Sequence, residues 1–247
     1  MEATGIAPDI RIFETAEEVA HAAADLFTDI ALGAIAAEGR FSVALAGGST
    51  PRRAYQLLAT EEYRNRIDWS KVHIFFGDER SVPPTHPDSN YRMAEEAMIS
   101  LLPIPSRNVH RIGGEGDAVA NASLYEDDLR TFFDGAPWPR FDLVLLGMGD
   151  DGHTASLFPG TNALREERTW LVANWVEKLN TFRITLTAQA INHAAHVVFV
   201  VTGAGKAERL PQVLRGVPNP LRLPAQLIKP EAGSLVWLVD KAAAAQL

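Results

Sequence analysis

The sequence predicts an α/β protein in which helices flank a doubly wound, mostly parallel sheet. Short apolar runs such as Phe41–Ala46 (FSVALA) and Val197–Val201 (VVFVV) are typical of strands buried on both faces of a parallel sheet. Helical segments alternate with these runs along the chain, as they do in Rossmann-like folds. Because no shift in composition marks a boundary, we expect residues 1–247 to form a single domain.

The composition limits the classes of function. The chain of 247 residues is 47% hydrophobic and carries a formal net charge of −8, which argues against a nucleic-acid partner and against a polybasic membrane anchor. It has no cysteine, which excludes disulfides, thiol catalysis and cysteine-ligated metals. The N-terminus lacks the basic and apolar regions of a signal peptide, and no run approaches the ~20 apolar residues of a membrane span. We therefore expect a soluble, cytoplasmic protein that has no membrane partner.

The first elements follow from capping residues and periodicity. Asp9 to Phe13 predicts a strand, and the capping box of Thr15 and Glu18 opens a long Ala-rich helix that Gly39 ends. On its inward face we place Val19, Leu26, Ile30 and Ala34.

The strand Phe41–Ala46 is followed by Gly47-Gly48-Ser49-Thr50, and Pro51 fits the first position of a helix from Arg52 to Ala59. The free N–H groups of such a helix start, with the Ser49 and Thr50 hydroxyls beside them, form a candidate anion site. The alternative is that these hydroxyls only cap the helix.

A second polar cluster follows the predicted strand Val72 to Phe76. Asp78, Glu79 and Arg80 come directly after that strand, where the sites of α/β proteins are built. A solvated salt bridge is the alternative. The elements predicted beyond this cluster are a helix from Tyr91 to about Leu102 capped by Ser89, an edge strand from Asn108 to Ile112, and a helix from Asp117 to Asp134 with Leu124, Leu129 and Phe132 turned inward.

The central stretch of the chain, Phe141 to Gly160, reads FDLVLLGMGDDGHTASLFPG. Its apolar start predicts a buried strand, and the glycines at 147, 149 and 152 predict an open loop at the carboxyl end of that strand. The loop carries Asp150, Asp151 and His153. The glycine spacing also fits a dinucleotide fingerprint, but two aspartates in the turn would repel a pyrophosphate. An ordinary polar turn is the remaining alternative.

The last third of the chain predicts strands at Trp170 to Val176, Phe182 to Thr187, Val197 to Val201 and Leu235 to Val239. Arg183 is expected to be half exposed, with a packing role and a ligand role equally open. Lys206 follows Gly203-Ala204-Gly205 in a segment that is not a P-loop, since Val200 stands where the first glycine should be and Ala207 follows the lysine. A lysine on the first turn of a helix is unfavourable for the helix dipole, so an anionic ligand would explain it. His193 and His196 are interpreted as structural.

Four polar segments therefore follow predicted strands: 47–50, 78–80, 150–153 and 203–206. The carboxyl ends of parallel strands meet at one edge of a sheet, so we expect these segments to converge there. They combine cations and a helix start, which suit a phosphate, with a carboxylate and a histidine, which suit proton transfer. A metal site is not expected, because the single loop histidine lacks the spacing of metal ligands.

The motifs GGSTP, GDERxVPxxHxxSN, GxGxDGHTASLFPG, RITLT and GxxKA, in this order, resemble those of the 6-phosphogluconolactonases. The resemblance covers nearly the whole chain and implies a NagB-type fold, which this family shares with the glucosamine-6-phosphate deaminases. It implies metal-independent hydrolysis of 6-phospho-D-glucono-1,5-lactone to 6-phosphogluconate in the oxidative pentose phosphate pathway, without a cofactor. A phosphosugar lactone is then the small-molecule partner, and a monomer or small homo-oligomer is expected.

The resemblance also implies roles for single residues. His153 is the expected base, Asp151 fixes its tautomer, and Asp78 binds sugar hydroxyls or a water. Arg80 and Lys206 are expected to hold the phosphate together with the amides of Gly47, Gly48, Ser49 and Thr50, while a contact of Arg183 with the substrate stays open.

Two alternatives remain at this point. The deaminases share the Asp78-Glu79 pair and Asp151-Gly152-His153, but they usually carry tyrosine at the position of Arg80 and Asn-Glu-Pro where Leu157-Phe158-Pro159-Gly160 stands here. A sugar-phosphate-sensing domain of a transcription regulator is the other alternative. It is disfavoured by the acidic charge and by the expectation that such a regulator carries a DNA-binding segment ahead of this fold.

Overall fold

The computed structural model describes residues 7–247. Its nine strands in this range are β1 Asp9–Phe13, β2 Phe41–Leu45, β3 Val72–Phe76, β4 Asp78–Arg80, β5 Leu143–Leu146, β6 Leu171–Val176, β7 Thr181–Leu186, β8 His196–Val201 and β9 Ser234–Asp240. The seven α-helices of the same range are α1 Ala16–Glu38, α2 Ser49–Leu58, α3 Glu61–Arg64, α4 Asn90–Ala97, α5 Ala118–Phe132, α6 Ala188–Asn192 and α7 Arg209–Arg215.

Six strands form a parallel sheet in the order β1-β9-β8-β5-β2-β3. From β2 the chain moves outward to β3 and then returns to β5 on the other side of β2. The strand order therefore reverses between β2 and β5, and a crevice opens at such a point outside the carboxyl ends of the strands. The predicted fold class is confirmed.

Helices cover both faces of this sheet. Phe27 of α1 packs edge-on against Phe41 of β2, whose neighbour in the sheet is Val72 of β3. Phe75, three residues along β3, faces the opposite side and contacts Phe132 at the end of α5. The core thus consists of two apolar layers with the sheet between them.

Helix α1 is long and apolar enough, by length and composition, to cross a membrane. The expectation that no segment of the chain reaches this threshold is therefore wrong. The apolar composition has a structural use, because one face of α1 packs in the core and its buried apolar residues are Val19, Ala20, Ala23, Ala24, Phe27 and Ala31. Thr15 caps the helix as predicted, accepting a hydrogen bond from the Glu18 amide, and Gly39 ends it with φ 75°.

A second, antiparallel sheet of order β4-β7-β6 was not predicted. The Asp78–Arg80 segment, expected to be a loop, forms its edge strand β4, and β7 pairs with both β4 and β6. Glu79 on β4 is buried and accepts hydrogen bonds from the Ser89 hydroxyl and from the amides of Asn90 and Tyr91 at the start of α4. This carboxylate anchors β4 to α4. Because it is buried and its partners are a hydroxyl and two backbone amides, it does not form the solvated salt bridge that was the alternative.

Several predicted bounds are wrong. The predicted edge strand at 108–112 is limited to a single bridge between Val109 and Ile74, after a 3-10 turn Ser106–Asn108. Helix α2 begins at Ser49, so Pro51 is its third residue and not its first. Lys206 ends a 3-10 turn, Ala204–Lys206, ahead of α7. Leu124, predicted to face inward, is exposed on α5, whereas Leu129 is buried.

His73 on β3 lies beside His110, and burial of this pair is expected to make the free energy of unfolding depend on pH. His73 Nδ1 lies 3.4 Å from His110 Nε2, and the ring of His73 packs on Phe132. Burial, and then the nearby positive charges of His110, Arg40 and Arg107, lower the pKa of His73 to about 4 from 6.5. Between these two values the unfolded chain binds more protons than the folded one, so the free energy of unfolding decreases as the pH falls.

We expect His73→Gln to reduce this loss of stability, because glutamine takes up no proton in the unfolded chain. The measurement is urea unfolding at pH 7.5 and pH 5 for both proteins, with the exposed His21→Gln as the matched control. Equal pH dependence in wild type and His73→Gln would contradict the assignment.

Candidate active site

A cavity of about 270 Å³ opens at the switch point between β2 and β5. It is formed by the segments that follow β2, β5 and β8 and by strand β4. Of the residues singled out in the sequence, those that line it are Gly47, Gly48, Ser49, Thr50, Asp78, Arg80, His153 and Lys206. The predicted convergence of the four polar segments is thus what the structure shows.

The loop after β5 is shaped by close approach of its own backbone. The amide of Gly149 donates to the carbonyl of His153 at 2.9 Å, and Gly152 adopts φ 81° between them. A Cβ on Gly149 would lie 2.1 Å from the His153 ring, so only glycine fits at this position. The glycines therefore serve loop geometry, which folds the loop back and brings His153 to the cavity.

His153 and Asp151 form a hydrogen-bonded pair. Nδ1 of His153 lies 2.5 Å from Oδ1 of Asp151, and the same oxygen accepts the His153 amide at 3.1 Å. The imidazole ring stacks on Phe158 with a centroid distance of 4.1 Å. With Nδ1 engaged by the carboxylate, Nε2 is the nitrogen left for a ligand.

The Asp151 carboxylate is held in its charged form. Burial alone would raise the pKa of Asp151, but hydrogen bonds from His153 and Lys178 outweigh this effect and hold the pKa well below its usual range. A permanently charged carboxylate on Nδ1 fixes the tautomer of the histidine and stabilises the imidazolium once Nε2 has accepted a proton. The pair has the geometry that a general base requires.

Asp78 is a buried carboxylate that also lines the cavity. One of its oxygens accepts a hydrogen bond from the Ser156 hydroxyl at 2.7 Å, and the other accepts one from the side-chain amide of Asn90 at 3.2 Å. Asn90 approaches so closely that a Cβ on Gly47 would lie 2.0 Å from its side-chain oxygen. These contacts fix the carboxylate at the cavity wall, where it can accept hydrogen bonds from ligand hydroxyls.

Three cations lie at or next to the site, Arg80 and Lys206 in the cavity lining and Arg183 beside Arg80. Arg80 on β4 and Arg183 on β7 are direct cross-strand partners. Burial, and then the positive charge of Arg80, lower the pKa of Arg183. Two like charges at paired positions repel each other, and the neighbouring carboxylates of Asp78, Asp88 and Glu79 offset part of this repulsion at Arg183. A bound anion would offset it further. Lys206 borders the cavity and forms an ion pair with the exposed Asp150.

The start of α2 adds hydrogen-bond donors to the cavity lining. Within residues 7–247, the backbone N–H groups of Ser49 and Thr50 have no acceptor, and the helix has no side-chain cap. The alternative that these hydroxyls only cap the helix is therefore wrong. The Thr50 hydroxyl instead contacts that of Thr202 at 2.7 Å, which ties the loops after β2 and β8 together. Free amides at a helix start favour a bound anion.

Four contributors were missed in the sequence: Asn90, Ser156, Lys178 and Thr202. Asn90, Ser156 and Thr202 lie within or next to a recognised motif, whereas Lys178 lies outside the motifs. The contacts of all four depend on packing between segments distant in sequence. Arg183, whose role was open, contacts the site through its pairing with Arg80 and does not itself line the cavity. Among residues 7–247, no group of three histidine or carboxylate side chains is arranged to hold a metal ion.

The fold and the cavity define an α/β protein whose polar site lies at the switch point of a parallel sheet and is lined by a carboxylate-paired histidine and by two cations. The family model described as glucosamine-6-phosphate isomerases/6-phosphogluconolactonase matches residues 14–237. The chain belongs to this family, as its motifs predicted.

Relatives within the family were found by sequence and by structure. A 6-phosphogluconolactonase of Nostoc sp. is 45% identical over 218 residues, which cover 87% of this chain and 88% of the relative. The structure of 6-phosphogluconolactonase from Trypanosoma cruzi superposes with a TM-score of 0.87 at 28% identity, covering 100% of this chain and 99% of that one. A monomeric glucosamine-6-phosphate deaminase shares the fold, with a TM-score of 0.81 at 20% identity over 97% of this chain and 100% of that one.

Proposed function

We propose that this protein hydrolyses 6-phospho-D-glucono-1,5-lactone to 6-phospho-D-gluconate in the oxidative pentose phosphate pathway. The observation that carries the proposal is that one cavity is lined both by a base, His153 in its pair with Asp151, and by candidate phosphate ligands, Arg80, Lys206 and the start of α2. A substrate with an electrophilic carbonyl at one end and a phosphate at the other matches both. The names of the relatives support the same activity.

Hydrolysis of the lactone needs a general base, hydrogen-bond donors for the developing oxyanion, and residues that bind the phosphate. Nε2 of His153 accepts a proton from water as its oxygen bonds to C1 of the lactone. When the bond between C1 and the ring oxygen breaks, the imidazolium returns the proton to that oxygen. Asp151 stabilises the imidazolium between these steps, while Asp78 accepts hydrogen bonds from sugar hydroxyls.

The phosphate is held by charge-assisted hydrogen bonds from Arg80 and Lys206, and by the amides of the α2 start. Arg183, the cross-strand partner of Arg80, adds a second positive charge next to the phosphate. Binding of the phosphate orients the substrate so that C1 lies next to Nε2 of His153. Binding energy from a remote group thus positions the reacting carbon. We propose the cytoplasm as the compartment of the reaction.

The second candidate is a glucosamine-6-phosphate deaminase, since the family name includes isomerases of that substrate. That reaction needs an amine on C2 and a ring that opens to an aldehyde. Arg80 at the cavity disfavours a protonated amine. The segment after the histidine loop places Phe158 against the His153 ring and brings no carboxylate. Both features favour the lactone.

The two candidates are separated by assaying both substrates in parallel. We expect acid release from fresh 6-phosphogluconolactone well above the spontaneous rate, unchanged by EDTA, and no release of ammonia from glucosamine 6-phosphate. Ammonia release at an enzymatic rate, or lactone hydrolysis that EDTA abolishes and a metal restores, would overturn the proposed function.

A further inference from the structure

Lys178 contacts the catalytic pair from outside the cavity. It lies in the 3-10 turn Glu177–Leu179, which joins β6 to β7, and its Nζ forms an ion pair with Oδ2 of Asp151. Oδ1 of the same carboxylate holds His153. The two oxygens of Asp151 thus have separate partners, an ammonium on one and the imidazole on the other.

Phe158 completes a compact cluster around this carboxylate. Its ring stacks on His153, and Nζ of Lys178 lies 4.7 Å from the centroid of the same ring. A cation over an aromatic face and a hydrogen bond to a carboxylate both restrict the ammonium to one place. Lys178 is about half exposed, so its charge is only partly screened by solvent.

The turn that carries Lys178 joins two strands of the sheet that carries Arg80 and Arg183. Strand β7 begins at Thr181, directly after this turn, and pairs Arg183 with Arg80 of β4. The contact between Lys178 and Asp151 therefore links the second sheet to the loop after β5. One hairpin connects Arg183, the partner of Arg80, to the Asp151–His153 pair.

We propose that Lys178 is a positioning residue for the hydrolysis: acting through Asp151, it keeps the His153 ring oriented toward the substrate and offsets the negative charge that Asp151 places beside that ring. The inference rests on the proposed function. A carboxylate beside an imidazole favours the imidazolium, which cannot accept a proton from water. A cation on the other carboxylate oxygen offsets part of this effect, and its hydrogen bond fixes the rotation of the carboxylate toward Nδ1.

The other charged groups around His153 stay constant when Lys178 is changed. They are Asp78 and Arg80 from β4, Arg183 from β7, Lys206 and Asp150 from the segments after β8 and β5, Arg209 of α7, which packs on Gly152 and donates to the Asp150 carbonyl, and Glu177 in the turn of Lys178 itself. Any shift in the titration of His153 between wild type and a Lys178 variant is therefore assignable to the lysine charge.

The test is Lys178→Met, which keeps much of the apolar stem and removes the charge. We expect kcat to fall about tenfold, less than the ~100-fold or more for loss of the base itself, with KM nearly unchanged. The acid limb of kcat/KM should move to higher pH by about 0.5–1 unit, the size expected from one partly solvated charge. Lys178→Arg should return the acid limb of the pH profile to its wild-type position. Lys71→Met, which removes another lysine paired with an aspartate, should leave that position unchanged.

A second readout does not depend on activity. The imidazole of His153 can be titrated by NMR in the free protein and assigned by its loss in His153→Gln. We expect its midpoint to rise in Lys178→Met, or in Lys178→Gln if the methionine variant does not fold. Unmoved midpoints in the folded variant would overturn the role of Lys178. The NMR result decides the role of Lys178 whether or not the wild-type protein hydrolyses the lactone. Absence of acid release from the lactone by wild type would count against the proposed function alone.

Discussion

Replacing His153 by glutamine is expected to lower kcat for 6-phosphogluconolactone by about 10²- to 10⁴-fold, the range for loss of a general base. Glutamine keeps a polar side chain of similar reach but cannot accept and return a proton. KM should change little, because the contacts proposed for the phosphate come from other residues, Arg80, Lys206 and the start of α2. Steady-state acid release, corrected for spontaneous hydrolysis, measures both constants.

The control for this substitution is His21→Gln, since His21 lies on α1 away from the cavity. It should hydrolyse the lactone as wild type does. Near-normal turnover by a folded His153→Gln protein would remove His153 from the mechanism. A fall confined to KM would assign His153 to binding and leave the base to another group.

The second large effect is expected at Arg80. Hydrogen bonds to charged groups contribute about 1.5–3 kcal/mol each, so Arg80→Met should raise KM for the phosphorylated lactone about 10- to 150-fold. The weak hydrolysis of unphosphorylated gluconolactone should hardly change, because that substrate has no phosphate to lose. The ratio of the two effects measures how specifically the residue serves the phosphate.

Arg53→Met provides the matched control, since Arg53 is exposed and pairs with Glu17 on α1. It should leave both substrates unaffected. Equal losses on the two lactones in Arg80→Met would show that Arg80 supports the sugar ring or the fold of β4 and does not recognise the phosphate.

The parallel sheet could be predicted because its strands are buried on both faces. Runs such as VVFVV of β8 and VLL of β5 leave no other placement in an α/β chain. The second sheet could not be predicted. β4 has three residues, too few for a periodic pattern, and nothing in the sequence of β7 specifies that its neighbours run antiparallel to it.

The contacts of the site likewise fall into those that follow from local sequence and those that depend on long-range packing. Asp151 and His153 are two residues apart within a glycine-rich loop, so their pairing follows from local sequence. The pairing of Arg80 with Arg183 depends on strand register, and the contact of Lys178 with Asp151 depends on where a hairpin ends. Long-range packing decides both, which is why the sequence left the role of Arg183 open and did not indicate Lys178.

We propose that one cavity binds the phosphate at Arg80 and Lys206 and opens the lactone at His153. The decisive experiment is a crystal structure of the complex with 6-phosphogluconate, the stable product. We expect the phosphate to contact Arg80, Lys206 and the amides of Ser49 and Thr50, with the C1 carboxylate within hydrogen-bonding distance of Nε2 of His153. A phosphate bound at His153, or a product bound outside this cavity, would contradict the account.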